Sequence, residues 1–212
     1  MARFSSVVLD ADSTLAGIEG IDWLAERRSA LVAKESAALT AEAMDGARTI
    51  ESVYAARLAK VRPSREMMAA LGAAYIRALA PGATECVEAF KQAGVRVVIV
   101  SGGLRAALLP LARTLGVPAA DVHAVEIRWD EAGEYEGLAE GQLLTTQQGK
   151  GAVVRGLGLP APVLAVGDGA TDAAMRPDVA AFAAYVGFVR RAKVVSLANH
   201  TLNSFDELRT LV

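Results

Sequence analysis

Short apolar runs rich in β-branched residues recur along this chain, and each ends at a small or acidic residue. Such runs are typical of strands that are buried on both faces. They predict strands over residues 6–10, 95–101, 122–125, 163–168 and 181–186. Helical patterns lie between them, at residues 83–93, 104–115 and 151–157. This alternation indicates an α/β fold, in which helices cover both faces of a parallel sheet.

The interval between the first two predicted strands breaks the alternation. The stretch from Ile18 to Leu79 has no convincing strand and carries the apolar spacing of several helices, with Ser64 as a favourable N-cap. We therefore predict that residues 16–79 form an inserted helical cap, and that residues 1–15 and 80–212 form the core. A second, smaller insertion at 125–138 has the pattern of a β-hairpin.

Composition and charge narrow the classes of function. The chain has 212 residues, of which 53% are hydrophobic and 22% charged, as in ordinary globular proteins with a sizeable core. The net charge of −2 gives no strong field that would attract nucleic acid or a membrane surface. Cys86 is the only cysteine, which excludes an internal disulfide and a cysteine metal cluster. Because the apolar runs are too short for a signal peptide or a membrane span, we expect a cytoplasmic protein. We expect it to be a monomer or a homodimer.

Two pairs of acids carry the first chemical signal. Asp10 and Asp12 follow the first predicted strand, and Asp168 and Asp172 follow the fourth. Either pair alone is equally consistent with a solvated turn. A calcium loop is excluded because it requires other residue types at positions 14 and 15. Together the pairs would meet beyond the carboxyl ends of parallel strands and form an oxygen-ligand site that suits Mg²⁺.

Two further segments of the sequence could bind an anion. Ser101-Gly102-Gly103 ends the second predicted strand, where a hydroxyl and free backbone amides can hold phosphate, although the same tripeptide is common in turns. Lys150 precedes a predicted helix, and a lone lysine is more often solvated surface. A P-loop is excluded, because Leu144 stands at the required glycine and Gly151 at the required Ser or Thr.

Arg57 and Glu19 are candidate substrate ligands within the predicted cap. Arg57 lies on the apolar stripe of its helix, so its guanidinium must either extend to solvent or bind an anion such as a carboxylate. Glu19 begins the insertion and could bind an ammonium group, although a helix-start charge is the commoner role.

These segments together resemble a known family. Asp10-Ala-Asp-Ser-Thr, Ser101-Gly-Gly, Lys150 and Gly167-Asp-Gly-Ala-Thr-Asp are similar, in this order, to the four motifs of the haloacid dehalogenase superfamily. Glu19-Gly-Ile-Asp and Arg57 extend the resemblance to its phosphoserine phosphatase branch. The resemblance implies a Rossmann-like parallel-sheet core with an inserted helical cap and a small β-hairpin insertion. It also implies a Mg²⁺-dependent phosphatase of serine biosynthesis that takes a small phosphorylated metabolite, phosphoserine.

The resemblance also implies roles for the residues. Asp10 would be the nucleophile, and Asp12 the general acid and then the general base. Asp10, Asp168 and the backbone carbonyl of Asp12 would bind Mg²⁺, with Asp172 in support. The phosphoryl group would be held by Ser101, Gly102 and Lys150. The rest of the substrate would be bound by Glu19, Arg57 and Thr171.

Two other functions compete with this interpretation. A related phosphatase or phosphotransferase could act on another small phosphomonoester, such as phosphohomoserine or a phosphorylated amine. A signalling receiver also uses a strand-tip Asp, a Ser or Thr and a Lys around Mg²⁺, but receivers have no long helical insertion after the first strand.

Overall fold

The computed structural model describes residues 3–44 and 47–212, and its centre is a six-stranded parallel sheet. In chain order, these strands and the two of a separate hairpin are β1 (Ser6–Leu9), β2 (Arg96–Leu104), β3 (Val122–Val125), β4 (Ile127–Trp129), β5 (Tyr135–Leu138), β6 (Val163–Gly167), β7 (Ala181–Tyr185) and β8 (His200–Leu202). The order across the sheet is β3-β2-β1-β6-β7-β8, and β4 pairs with β5.

Helices connect the strands and cover the sheet. They are α1 (Gly20–Arg28), α2 (Ala30–Met44), α3 (Ile50–Val61), α4 (Arg65–Arg77), α5 (Ala83–Gln92), α6 (Arg105–Thr114), α7 (Gly149–Gly156), α8 (Ala170–Ala173), α9 (Ala192–Val195) and α10 (Phe205–Leu211). No helix among residues 3–44 and 47–212 has both the length and the apolarity needed to cross a membrane.

Strand β1 lies in the middle of the sheet, and its register sets the position of the site. Leu9, which is fully buried, pairs with Ile99 of β2 on one side and Val166 of β6 on the other. Because all three strands are parallel, their carboxyl ends meet at one edge. Asp10 and Asp168, which follow β1 and β6, and Ser101, in the last part of β2, are therefore neighbours in space.

The five predicted strands are all present, with small differences in their ends. Strand β2 runs on to Leu104, so Ser101-Gly102-Gly103 lies within the strand rather than after it, across a register shift between Val100 and Leu104. Strand β8 was not predicted, and its first residue, His200, is half-buried. A three-residue edge strand is too short to show a periodic pattern.

Between β1 and β2 the chain is helical, as predicted. Ser64 caps α4 and accepts a hydrogen bond from the amide of Met67 at 3.2 Å. Helix α4 packs on α6, where a Cβ on Gly72 would lie 3.1 Å from Pro110, so glycine permits this close approach. Buried residues of the insertion and of the sheet belong to one hydrophobic cluster. The division into a core and a separate cap therefore stays a prediction.

The hairpin β4–β5 packs against the connection between α3 and α4. Its turn contains Gly133 at φ 82°, a left-handed conformation that favours glycine. The indole of Trp129 donates a hydrogen bond to the Pro63 carbonyl at 2.9 Å, and the Arg65 amide donates to the Gly133 carbonyl at 3.1 Å. The hairpin thus fixes the path of the chain as it enters α4.

Candidate active site

A cleft of about 250 Å³ opens at the carboxyl ends of β1, β2 and β6, beneath α1 and α3. Every residue that the sequence analysis assigned to a site lines it: Asp10, Asp12, Glu19, Arg57, Ser101, Gly102, Lys150, Asp168, Thr171 and Asp172. These residues come from widely separated parts of the chain. The parallel strands bring Asp10, Ser101-Gly102 and Asp168 together, and the helices and connecting segments add the others.

Three carboxylates form a buried cluster at the base of the cleft. Asp10, Asp168 and Asp172 each offer an oxygen within 4.8 Å of the others, and each is at most 5% exposed. Asp172 lies in α8 and also accepts a hydrogen bond from the Gly169 amide at 2.9 Å. Its carboxylate thus belongs to the same cluster as the two acids that were predicted to bind a metal.

Lys150 is the buried cation of this cluster. Its Nζ lies 2.7 Å from Oδ1 of Asp10 and donates a hydrogen bond to Oδ1 of Asp172 at 2.6 Å. Burial alone would lower the pKa of Lys150, but the two carboxylates outweigh burial and raise it above its ordinary value. The lysine lies in the first turn of α7, not before the helix as predicted, and it is held as a cation.

The cluster still carries excess negative charge after Lys150 is counted. Burial, followed by the charge of Asp10, raises the pKa of Asp172 to about 7, even though Lys150 opposes the shift. A second cation, Arg191, pairs with Asp168 but is 37% exposed. Closely spaced carboxylate oxygens with uncompensated charge suit a hard divalent cation such as Mg²⁺.

Asp12, two residues after Asp10, also lines the cleft. Its Oδ1 accepts hydrogen bonds from the Gly20 amide at 3.3 Å and from the hydroxyl of Tyr75. Burial raises the pKa of Asp12 to about 8, with further contributions from the charges of Glu19 and Asp10. A carboxyl that is protonated near neutral pH can donate a proton as a general acid.

Ser101 and Gly102 of β2 form part of the wall of the cleft. The fully buried Ser101 hydroxyl accepts a hydrogen bond from the Gly103 amide at 3.0 Å. The Gly102 carbonyl accepts one from the hydroxyl of Tyr54 in α3 at 2.6 Å. A side chain of the helical insertion therefore contacts the strand-end backbone directly.

Arg57 and Glu19 also line the cleft. Arg57 donates to the buried hydroxyl of Ser36 at 2.8 Å and forms an ion pair with Asp22, so its guanidinium points into the cleft and not to bulk solvent. Glu19 accepts from Ser13 at 2.7 Å, and its pKa is raised by burial.

Several residues of the site escaped sequence analysis. Arg191 contacts Asp168 and lies 3.7 Å from Glu19, and Thr14 donates to Asp168 at 3.3 Å. Arg191 stands in an irregular segment without a motif, so no local pattern indicates it. Tyr54 and Tyr75 lie in helices α3 and α4, where an apolar pattern indicates packing, and only their hydroxyl contacts with Gly102 and Asp12 reveal a further role.

Gly149 is required by the close approach of α7 to the preceding turn. A Cβ there would lie 1.8 Å from the carbonyl oxygen of Leu143, which is backbone and cannot move alone. We expect Gly149→Ala to lower the free energy of unfolding by about 1–3 kcal/mol through overpacking. Gly156→Ala in the same helix is the matched control, since a Cβ at Gly156 meets nothing within 4 Å. Urea denaturation of both variants checks this, and equal stabilities would contradict it.

Three comparisons place this architecture among known proteins. Human phosphoserine phosphatase is 35% identical over 208 residues, which cover 96% of this chain and 91% of the human protein. A phosphoserine phosphohydrolase-like protein from Francisella tularensis has a TM-score of 0.86 and 27% identity, covering 98% of this chain and 99% of its own. A phospho-aspartyl intermediate analogue of phosphoserine phosphatase has a TM-score of 0.80 and 25% identity, with 98% of both chains covered.

The match to a family description covers most of the chain. Residues 7–176 match the haloacid dehalogenase-like hydrolases, a range that contains Asp10, Ser101, Lys150 and Asp168. The parallel sheet and the order of its motifs agree with the resemblance seen in the sequence. This chain belongs to the haloacid dehalogenase-like hydrolase family.

Proposed function

We propose that this protein is a Mg²⁺-dependent phosphatase that hydrolyses phosphoserine to serine and phosphate through an aspartyl-phosphate on Asp10. The observation that carries the proposal is the buried group of Asp10, Asp168 and Asp172 around Lys150, with Arg57 and Glu19 in the lining of the same cleft. A role in serine biosynthesis and a cytoplasmic location belong to the same proposal.

The donor set of the cluster fits Mg²⁺. Asp10 and Asp168 would hold the ion together with the backbone carbonyl of Asp12, and Asp172 would support it. When bound, Mg²⁺ would neutralise charge on the phosphoryl oxygens. The buried carboxylates, crowded within 4.8 Å, provide the reason for an ion to bind there.

The first chemical step would transfer the phosphoryl group to Asp10. A carboxylate oxygen of Asp10 attacks phosphorus while the bond from phosphorus to the serine oxygen breaks, and Asp12 gives its proton to that leaving oxygen. Lys150 and the amides near Ser101 and Gly102 would stabilise the charge on the equatorial phosphoryl oxygens. The raised pKa of Asp12, about 8, supports its role as the acid.

The second step would reverse the role of Asp12. Now a carboxylate, it takes a proton from water, whose oxygen attacks phosphorus and breaks the bond to Asp10. This step returns Asp10 as a carboxylate and releases phosphate. The hydrogen bonds of Asp12 to Gly20 and Tyr75 would keep its carboxyl in place through both steps.

Arg57 and Glu19 would select the substrate. A guanidinium can bind a carboxylate with two hydrogen bonds. In this structure Arg57 forms an ion pair with the carboxylate of Asp22, so it can interact with a carboxylate at this position. Glu19, with Arg191 at 3.7 Å, would bind the ammonium group. The presence of a cationic and an anionic side chain in the same cleft as the cluster favours a phosphorylated amino acid over a simple alkyl phosphate.

Removal of metal provides the first test of the site. We expect EDTA treatment to lower phosphate release at least about a hundredfold, and added Mg²⁺ to restore it. Mg²⁺ should also raise the melting temperature of the metal-free protein, because an ion that binds only the folded state stabilises it. Asp168→Asn should lose most of that rise. Full activity in EDTA, or an unchanged melting temperature, would count against the metal site.

The choice of substrate is tested at Arg57. We expect Arg57→Met to lower kcat/KM for phosphoserine roughly a hundredfold, because two charge-assisted hydrogen bonds to the substrate are lost. Activity on an aryl phosphate, which has no carboxylate, should change less than about threefold. Arg128→Met is the matched control, since Arg128 is 52% exposed on the hairpin, where it pairs with Glu136. Equal losses on both substrates would contradict the role of Arg57 in binding the carboxylate. Equal activity of the wild type on substrates that lack a carboxylate would favour another small phosphomonoester, such as a phosphorylated amine.

A further inference from the structure

Tyr54 is a residue of the helical insertion that contacts the wall of the cleft at Ser101 and Gly102, where phosphate is proposed to bind. Its ring is half-buried in α3, and its hydroxyl donates to the Gly102 carbonyl at 2.6 Å. Burial, followed by the charge of Asp12, raises the pKa of Tyr54 above its ordinary value, so the hydroxyl remains a donor throughout the neutral range.

The same peptide unit is held at its other end. The carbonyl of Gly102 and the amide of Gly103 belong to one planar peptide, and this amide donates to the Ser101 hydroxyl at 3.0 Å. A carbonyl that accepts a hydrogen bond polarises its peptide and makes the amide a stronger donor. Tyr54 and Ser101 therefore hold one peptide between them.

This arrangement determines where the proton of Ser101 can point. A serine oxygen that accepts from an amide still carries one proton to donate, and that proton must point away from the amide. Ser101 is buried and lines the same cleft as Asp10, so the cleft is a direction still open to this proton. A phosphoryl oxygen bound there would accept this proton.

We propose that Tyr54 is a positioning residue, whose hydroxyl fixes the Gly102–Gly103 peptide and through it orients the Ser101 hydroxyl toward the phosphoryl group. The inference rests on the proposed function, because it assigns Ser101 to phosphate. Tyr54 would touch neither phosphorus nor the leaving group. A simpler role, in which Tyr54 only holds α3 over the cleft, would not pass through Ser101, and this difference can be measured.

The test is a double-mutant cycle of wild type, Tyr54→Phe, Ser101→Ala and the double variant. Tyr54→Phe removes one hydroxyl and keeps the ring. We expect it to lower kcat on phosphoserine about three- to tenfold, the size of one neutral hydrogen bond. In the Ser101→Ala background the same change should cost less than about twofold, because the group it positions is gone. An equal loss in both backgrounds, or no loss in either, would overturn the inference.

A second measurement separates this inference from the proposed function. The affinity of the same four proteins for inorganic phosphate, measured by calorimetry with Mg²⁺ present, should show the same non-additivity. If wild type hydrolyses no phosphomonoester, the proposed function fails, while phosphate affinity still decides the role of Tyr54.

Tyr185→Phe is the control for loss of a tyrosine hydroxyl, since Tyr185 lies in β7 against Phe188 and Phe205, outside the residues that line the cleft. It should leave both measurements within about twofold.

Discussion

Asp10→Asn is expected to reduce phosphate release at least about a thousandfold, because the amide that replaces the carboxylate is not a nucleophile toward phosphorus. The two side chains have nearly the same shape, so the loss should not come from misfolding. The variant should retain the circular dichroism of wild type. It should also carry no phosphoryl adduct when phosphoserine is added and the protein is examined by mass spectrometry.

The control for this substitution lies outside the cleft. Asp121 pairs with Arg96 at 2.7 Å, at the amino-terminal end of β2. Asp121→Asn makes the same chemical change and should leave kcat within about twofold. Phosphate release by Asp10→Asn within about tenfold of wild type would contradict the assignment of the nucleophile.

Lys150→Met is expected to destabilise the metal-free protein by about 3–5 kcal/mol. Met has a similar length, so the change removes the charge and leaves the buried carboxylates of Asp10 and Asp172 without their cation. Removing one partner of a buried ion pair lowers the free energy of unfolding by more than the intact pair contributes, because the remaining charge stays buried without a partner. Urea denaturation in EDTA measures the change. Activity should fall as well, because Lys150 would also bind the phosphoryl group.

Lys60→Met is the matched substitution on the surface. Lys60 pairs with Glu35 at 2.8 Å, and both side chains are about two-fifths exposed. We expect less than about 1 kcal/mol of change, as for other exposed ion pairs. Similar unfolding free energies for the two lysine variants would show that Lys150 does not compensate the cluster.

The strands and the acids that follow them could be predicted from the sequence for a common reason. Strands buried on both faces need unbroken apolar runs, and a carboxylate at the end of such a run marks where the chain leaves the core. Asp10 and Asp168 stand at these points, after Leu9 and Gly167. The parallel arrangement follows from the helices between the strands, and it places the strand ends together.

The lining of the cleft by Arg57 and Glu19 was also expected, although their local patterns left a solvent-exposed or helix-start role open. On its stripe, Arg57 could equally have extended into solvent. Its bond to the buried Ser36 and its ion pair with Asp22 decide the question, and both partners come from other helices. A local pattern cannot specify contacts across helices.

By itself, the sequence determined an α/β fold with a long helical insertion, a set of acids and a serine near the strand ends, and a lysine near the start of a helix. These features depend on periodicity and on motifs, both of which are local. Tertiary structure alone decided that Tyr54 reaches Gly102, that Tyr75 reaches Asp12 and that Arg191 pairs with Asp168. Each of these contacts joins distant residues whose local patterns are those of packing or of a loop, so only the folded arrangement of the chain reveals them.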